Sequence, residues 1–213
     1  MIKKAFTLVE IGIVFSLILI VSALVIPLAI DDSKKVREIS NWRHTFDNVE
    51  YAFQSMFIDN SDEYQNQLSL KIKKAKNSNI IEDIVFDEFK PYLRVESKFE
   101  SKKYKPRYLN HDRVKEGQYY YFDKLYLTQN NEIVGIKWLG ELYDKSSLLA
   151  LMFDVNGEIG PNMWGKDIFG VNVYKDKLEP FGKNIPSYEV KQDCSEKGRG
   201  VYCSYSYLTD AQF

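Results

Sequence analysis

Glu10 is the residue whose setting most demands a chemical explanation. It follows Phe6-Thr7-Leu8-Val9 and precedes Ile11 to Ile30, a run with no charged residue. A carboxylate beside or inside hydrocarbon costs about 2.5–3.5 kcal/mol on insertion scales. Its chemistry in such a place is electrostatic, because a charge in a low-dielectric setting needs a cationic partner. A second concentration of oxygens lies at Asp154, Asn156, Glu158, Asn162 and Asp167, on a stretch that also holds Gly157, Gly160, Pro161 and Gly165. Glycine and proline force tight turns there. Two readings fit these residues. The Asp and Asn side chains can bond nearby backbone amides and close a structural connection. Alternatively, the oxygens can surround calcium, which takes six to eight of them from a turning backbone. The opening Asp-x-Asn-Gly is like an EF-hand start, but the third side-chain ligand and the terminal Glu at EF-hand spacing are absent.

Cys194 and Cys203 flank a segment containing Gly198 and Gly200 that can reverse direction. In an exported protein such a pair reads as a disulfide, and in a cytosolic one as free thiols. His44 and His111 are the only histidines. They stand apart from each other and from the cysteines, so neither suggests a zinc set or a catalytic triad. No Gly-x-Ser-x-Gly, phosphate-binding loop or paired zinc cysteines occur. A non-enzymatic role is expected.

The elements that position these residues follow from periodicity. Ile11–Ile30 is long enough to span a bilayer, since about 20 apolar residues rise about 30 Å as a helix. Lys3 and Lys4 before it and Asp31-Asp32 after it place the short N-terminus in the cytoplasm. The run is longer than that of a secretory signal, and Pro-Leu-Ala-Ile-Asp is a poor cleavage site. Val36, Ile39, Trp42, Phe46, Val49, Phe53 and Met56 then recur at spacings of three and four, one apolar stripe of an amphipathic helix. The helix is therefore expected to run on to about Phe57, roughly 80 Å from Phe6. Pro27 should bend it or loosen one turn. A second, short helix is expected around Ile80–Leu93, with Asn79 as its cap and Pro91 near its end. Lys71, Lys73, Lys74 and Lys76 read as a solvated basic cluster. Lys98 to Arg113 reads as a charged loop with short extended pieces.

From Gln118 onward the pattern is strand-like. Tyr119–Phe122 with Leu125–Leu127, then Ile133–Leu139, form a hairpin around Gln129-Asn130-Asn131. Leu148–Val155, Ile168–Tyr174 and Val201–Tyr207 are further strands. Trp164 and Phe169 read as core anchors. The fold class is α+β, a long N-terminal helix on an antiparallel sheet. With 45% apolar and 15% aromatic residues the chain has a folding composition. Its net charge of −1 gives no general nucleic-acid-binding face.

The segment Lys3-Lys4-Ala5-Phe6-Thr7-Leu8-Val9-Glu10 resembles the processing site of type IV prepilins and of type II secretion pseudopilins. The resemblance covers about 25 residues. It implies a leader at 1–5, cut between Ala5 and Phe6, and N-methylation of Phe6. Residues 6–30 then form the transmembrane and polymerisation helix, 31–58 its amphipathic continuation and 59–213 the globular head. Glu10 becomes the fifth mature residue, and Pro27 falls where the family's helix commonly kinks. The family usually has Gly where this chain has Ala5, the next smallest side chain. Assembly by Glu10 pairing with the methylated amine of Phe6 on a neighbouring subunit is implied as well, and so is a C-terminal disulfide between Cys194 and Cys203. Calcium in a C-terminal loop is known in some pseudopilins. Implied partners are other pilins or pseudopilins, a prepilin peptidase and methyltransferase, an inner-membrane assembly platform, and lipid before assembly. The implied place is the bacterial inner membrane with the head in the periplasm, then a pseudopilus or surface filament. The alternative is an inner-membrane-anchored periplasmic binding domain that never polymerises.

Overall fold

The computed structural model describes residues 8–59, 78–100, 104–139, 147–174 and 177–209. The chain divides into two compact units, Met1–Arg37 and Glu38–Phe213. In the first, helix α1 (Leu8–Asp59) begins. Its large apolar side chains from Leu8 to Ile26, and Ile30, are exposed. Among the described residues this is the one helix long and apolar enough to cross a membrane, with a mean hydropathy of 3.0 over its most apolar window. A membrane span or an N-terminal signal has this form. Ser16 and Ser33 donate their hydroxyls to the carbonyls of Gly12 and Ala29, four residues back, so the helix satisfies its own polar groups. The backbone stays helical through Pro27, whose missing N–H removes one bond from the ladder.

In the second unit, α1 turns one face inward. Trp42, Thr45, Val49, Ala52 and Phe53 are buried, with Ile39 and Phe46 partly so. Val36, which the stripe included, lies in the first unit and is 67% exposed. Helix α2 (Ser78–Phe89) joins the same core through Phe86 and Phe89, with Phe86 against Tyr126. The helix begins at Ser78, so Asn79 lies within it rather than capping it. Pro91 follows its end, as expected of a residue that cannot extend the ladder.

The sheet is a six-stranded antiparallel meander with strands in chain order: β1 (Val95–Phe99), β2 (Lys124–Thr128), β3 (Ile133–Trp138), β4 (Ser147–Asp154), β5 (Ile168–Tyr174) and β6 (Leu178–Pro180). Side chains alternate between two cores, as the period of two requires. Tyr126, Val134, Ile136, Leu151, Phe153, Phe169 and Val171 join the helices' core. Leu125, Ile133, Ala150, Met152 and Ile168 face a second core with Trp164, Phe122 and Phe181. Gly170 belongs to that second face, where a Cβ would collide with the Phe181 ring.

Two expected strands are not strands. Tyr119–Phe122 is a turn and extended segment ahead of β2. Its rings pack on the second core instead: Tyr120 lies 5.7 Å from Trp164 and 5.5 Å from Phe181, between centroids. Val201–Tyr207 is a turn leading into the short helix α4 (Cys203–Ser206), which follows α3 (Ser187–Asp193). A disulfide joins Cys194 to Cys203, with Cα atoms 5.1 Å apart. Closing so short a loop leaves no room for the chain to extend. The backbone there serves α1 and β5 rather than a strand ladder. Trp42 Nε1 donates to the Ser204 carbonyl at 2.9 Å, Arg43 Nε to the Tyr207 carbonyl at 2.8 Å, and Gly170 N to Ser204 Oγ at 3.0 Å.

Candidate functional site

Glu10 lies in the first turn of α1, on the exposed apolar part of the helix. Ala5 and Phe6, the expected cut and methylation positions, lie outside the described residues, as does the 71–76 lysine cluster.

The 154–167 stretch is a connection between β4 and β5, which pair at Asp154 and Ile168. Both end carboxylates are buried. Asp154 Oδ2 accepts from the Tyr104 hydroxyl at 2.6 Å, and Oδ1 from Asn156 N at 3.4 Å. Asp167 Oδ1 accepts from Met163 N at 2.6 Å, and Oδ2 from Asn162 N at 2.8 Å and Asn156 Nδ2 at 3.3 Å. Asn162 sits at φ 53, which an Asn tolerates better than most residues. Gly165, at φ +79, lies so close to Cys203 Sγ and the Gly200 carbonyl that a Cβ would come within 2.8 Å of each. The turn is thus fastened to the disulfide-closed C-terminus. Trp164 and Phe169 are both fully buried, and Phe169 stacks on Trp42 at 4.9 Å.

These bonds realise the self-closing arrangement, with Asp and Asn side chains on the loop's own amides. Two acceptors stay open. Asn156 Oδ1 and Asn162 Oδ1 are buried and have no hydrogen-bond partner. Both asparagines also bond Asp167 Oδ2, one through its side chain and one through its backbone. Two carboxylates and two open amide oxygens are a donor set of the hard type that calcium takes. Glu158 is exposed and makes no bond within this group. Among the described residues no three His, Cys, Asp or Glu converge, so any cation here would depend on the asparagines.

Burial, and then the neighbouring Asp167 charge, holds the Asp154 carboxyl well above the usual range, while burial pushes Asp167 up to about 6. Both folded values lie above the unfolded ones. For Asp167 the contribution to stability is therefore complete below about pH 4 and is lost as pH rises through about 6, and Asp154 shifts in the same direction. For Asp167 the loss is on the order of 3 kcal/mol. In the presence of a chelator, Asp167→Asn is expected to flatten the fall in melting temperature between about pH 4.5 and 7. An unchanged slope would show that the carboxyl is not strained by its burial.

Tyr104 was not discernible as a partner from sequence, being separated from Asp154 by 50 positions. Its signal, an aromatic at the head of the charged 104–115 stretch, has no local meaning. His44 is exposed on α1 and bonded to Asn48, and His111 is exposed at a hairpin tip. No family model matches the chain, and neither does any curated protein or solved structure.

Proposed function

We propose that the chain is a type IV pilin-like subunit, of a pilus or of a type II secretion pseudopilus, with a mechanical and not an enzymatic role. The observation that carries this reading is Glu10 itself: the one acid before Asp31, on the first stretch of a helix, where the apolar side chains from Leu8 to Ile26 are exposed. Lipid suits those side chains but not the carboxylate. A bundle of like helices suits both, if the amine of a neighbour's Phe6 meets Glu10. The precursor is held in the inner membrane with its head in the periplasm. It is cut after Ala5, methylated on Phe6 and passed to an assembly platform, where it joins other pilins or pseudopilins. Burial of the second half of α1 against the sheet through Trp42, Val49 and Phe53 supports the reading, because the resemblance implies a head built on an amphipathic continuation of the helix. Ala5→Asp is expected to leave the precursor uncut when expressed with a prepilin peptidase. Normal shortening of that variant on a gel would contradict the proposed cleavage site.

We also propose that the 154–167 loop holds calcium through Asp154, Asp167, Asn156 and Asn162, supported by the two open asparagine oxygens. Bound calcium would neutralise the two carboxylates and hold the β4–β5 connection against the C-terminus. In full-length protein in detergent at neutral pH, calcium at about 100 times its Kd should add about 2.7 kcal/mol. That is a rise of several degrees in melting temperature over a chelator control. Asn156→Ala with Asn162→Ala should remove the rise. A melting temperature indifferent to calcium and chelator would dismiss the ion.

A further inference from the structure

A cleft of about 200 Å³ opens beside the β5–β6 edge of the sheet, lined by five aromatic residues, Tyr119, Tyr120, Tyr174, Phe181 and Tyr202. Its rings stand tilted to one another. Tyr119 and Tyr120 meet edge to face at 82°, with centroids 4.8 Å apart. Phe181 lies 6.4 Å from Tyr119 at 52° and 5.5 Å from Tyr120 at 60°. Such rings leave slots between them, not one flat platform. Both walls are fixed from behind. Lys137 Nζ donates to the carbonyls of Gln118, Tyr119 and Tyr121 at 2.7, 3.0 and 3.2 Å, which pins the turn carrying Tyr119 and Tyr120. The Arg199 guanidinium sits over the Tyr120 ring at 5.5 Å and over the Tyr202 ring at 5.3 Å, and its Nε donates to Asp193 at 2.8 Å. Phe181 is held through its carbonyl, which accepts from Tyr205 N at 3.1 Å.

The polar groups of the cleft are nearly all engaged. Asn172 of β5 and Glu179 of β6 stand opposite each other. Glu179 is buried; its Oε2 accepts from Asn184 Nδ2 at 2.6 Å and its Oε1 from Lys177 Nζ at 3.1 Å, with Lys183 Nζ 3.8 Å away. Asn172 Oδ1 accepts from the Tyr119 hydroxyl at 3.4 Å. Among the described residues no protein group accepts from the Asn172 amide nitrogen. The cleft thus offers a ligand aromatic surface and a donor, with both carboxylate oxygens already engaged. A sugar or an ordinary extended peptide brings hydroxyls or N–H groups that need acceptors. Proline has no N–H, and a polyproline II helix carries open carbonyls with three residues per turn. Proline-rich segments dock on aromatic-lined grooves in this way, with little ordering entropy to lose.

We propose that this cleft binds a proline-rich segment of another protein in polyproline II form, with proline rings in the slots between the tilted aromatic rings and a carbonyl on the Asn172 amide. The occupant is not a second copy. The six prolines of this chain, Pro27, Pro91, Pro106, Pro161, Pro180 and Pro186, include no two closer than six positions, so the chain has no Pro-x-x-P of its own. Because both walls are fixed beforehand, little affinity is lost to reorganisation. Binding here does not depend on how the N-terminus is processed.

The test titrates deca-proline, which holds the polyproline II form, into fluorescently labelled full-length protein in detergent, up to about 2 mM, followed by thermophoresis. A Kd on the order of 0.1 mM is expected, with a glycine-serine peptide of the same length binding at least about tenfold more weakly. Tyr119→Ala should weaken binding at least about tenfold, while Tyr119→Phe should stay within about threefold of the native chain. Asn172→Asp keeps the acceptor for Tyr119, removes the donor and should weaken binding about fivefold. Tyr119 and Asn172 are half-buried, so these variants should melt within a few degrees of the native protein. If Tyr119→Ala melts early, Asn172→Asp decides, because unchanged binding by it overturns the proposal equally. Absence of deca-proline binding at the highest concentration, or unchanged binding by Tyr119→Ala, would overturn the proposal. So would equal binding of the glycine-serine peptide, or Tyr119-dependent binding of chitotriose in a protein that ignores deca-proline.

Discussion

Glu10→Ala is expected to abolish filament assembly while leaving the head folded. At about 4 Å and an effective dielectric near 20, a carboxylate–ammonium pair is worth about 4 kcal/mol. Losing it in a buried bundle leaves the opposing amine uncompensated, a penalty of about 3–5 kcal/mol per contact. Either figure is close to a thousandfold in association at every joint of a repeating structure. The same substitution should ease membrane insertion, because a charge near the hydrocarbon is removed. Precursor levels should therefore hold or rise as filaments vanish. Filament yield by electron microscopy, beside the melting temperature of the purified variant, checks this. Normal filaments from Glu10→Ala would show that the carboxylate does not set the subunit contact.

Trp42→Ala is expected to have the largest effect on the head. Trp42 is fully buried, stacks on Phe169 at 4.9 Å and reaches Phe153 and Phe46. Its Nε1 also supplies the 2.9 Å bond to the Ser204 carbonyl. Truncation of a buried Trp costs about 3–5 kcal/mol, and the orphaned carbonyl adds to that. For a head of this size the melting temperature should fall by about 10 °C or more. Trp42→Phe keeps a ring against Phe169 and should lose only about 1–2 kcal/mol. Thermal unfolding of both variants separates packing from hydrogen bonding. A change under about 1 kcal/mol for the Ala variant would mean that α1 does not hold the sheet through this side chain.

Trp42, Val49 and Phe53 were legible in advance because a helix repeats its buried face every three to four residues. Val36 satisfied the same spacing but lies ahead of the residues that pack on the sheet. Spacing shows which face is apolar, not where its cover begins. Strands β3 to β5 were legible from long apolar runs, which the structure explains by burying both faces. β1, with its three central residues exposed, and the three-residue β6 lack the apolar run that marks a strand. Tyr119–Phe122 and Val201–Tyr207 have β-forming residues, but tertiary packing and a disulfide override propensity there. The oxygens of Asp154 to Asp167 were visible because they are local. Tyr104 was not, since only the fold brings it to Asp154 across 50 positions.

The mass of the mature N-terminus tests the central claim most directly. Protein isolated from membranes that contain a prepilin peptidase, digested and sequenced by mass spectrometry, is expected to begin at Phe6 with one added methyl group on its amine. A chain that still begins at Met1 would contradict it, and would leave Glu10 as part of an uncut membrane anchor.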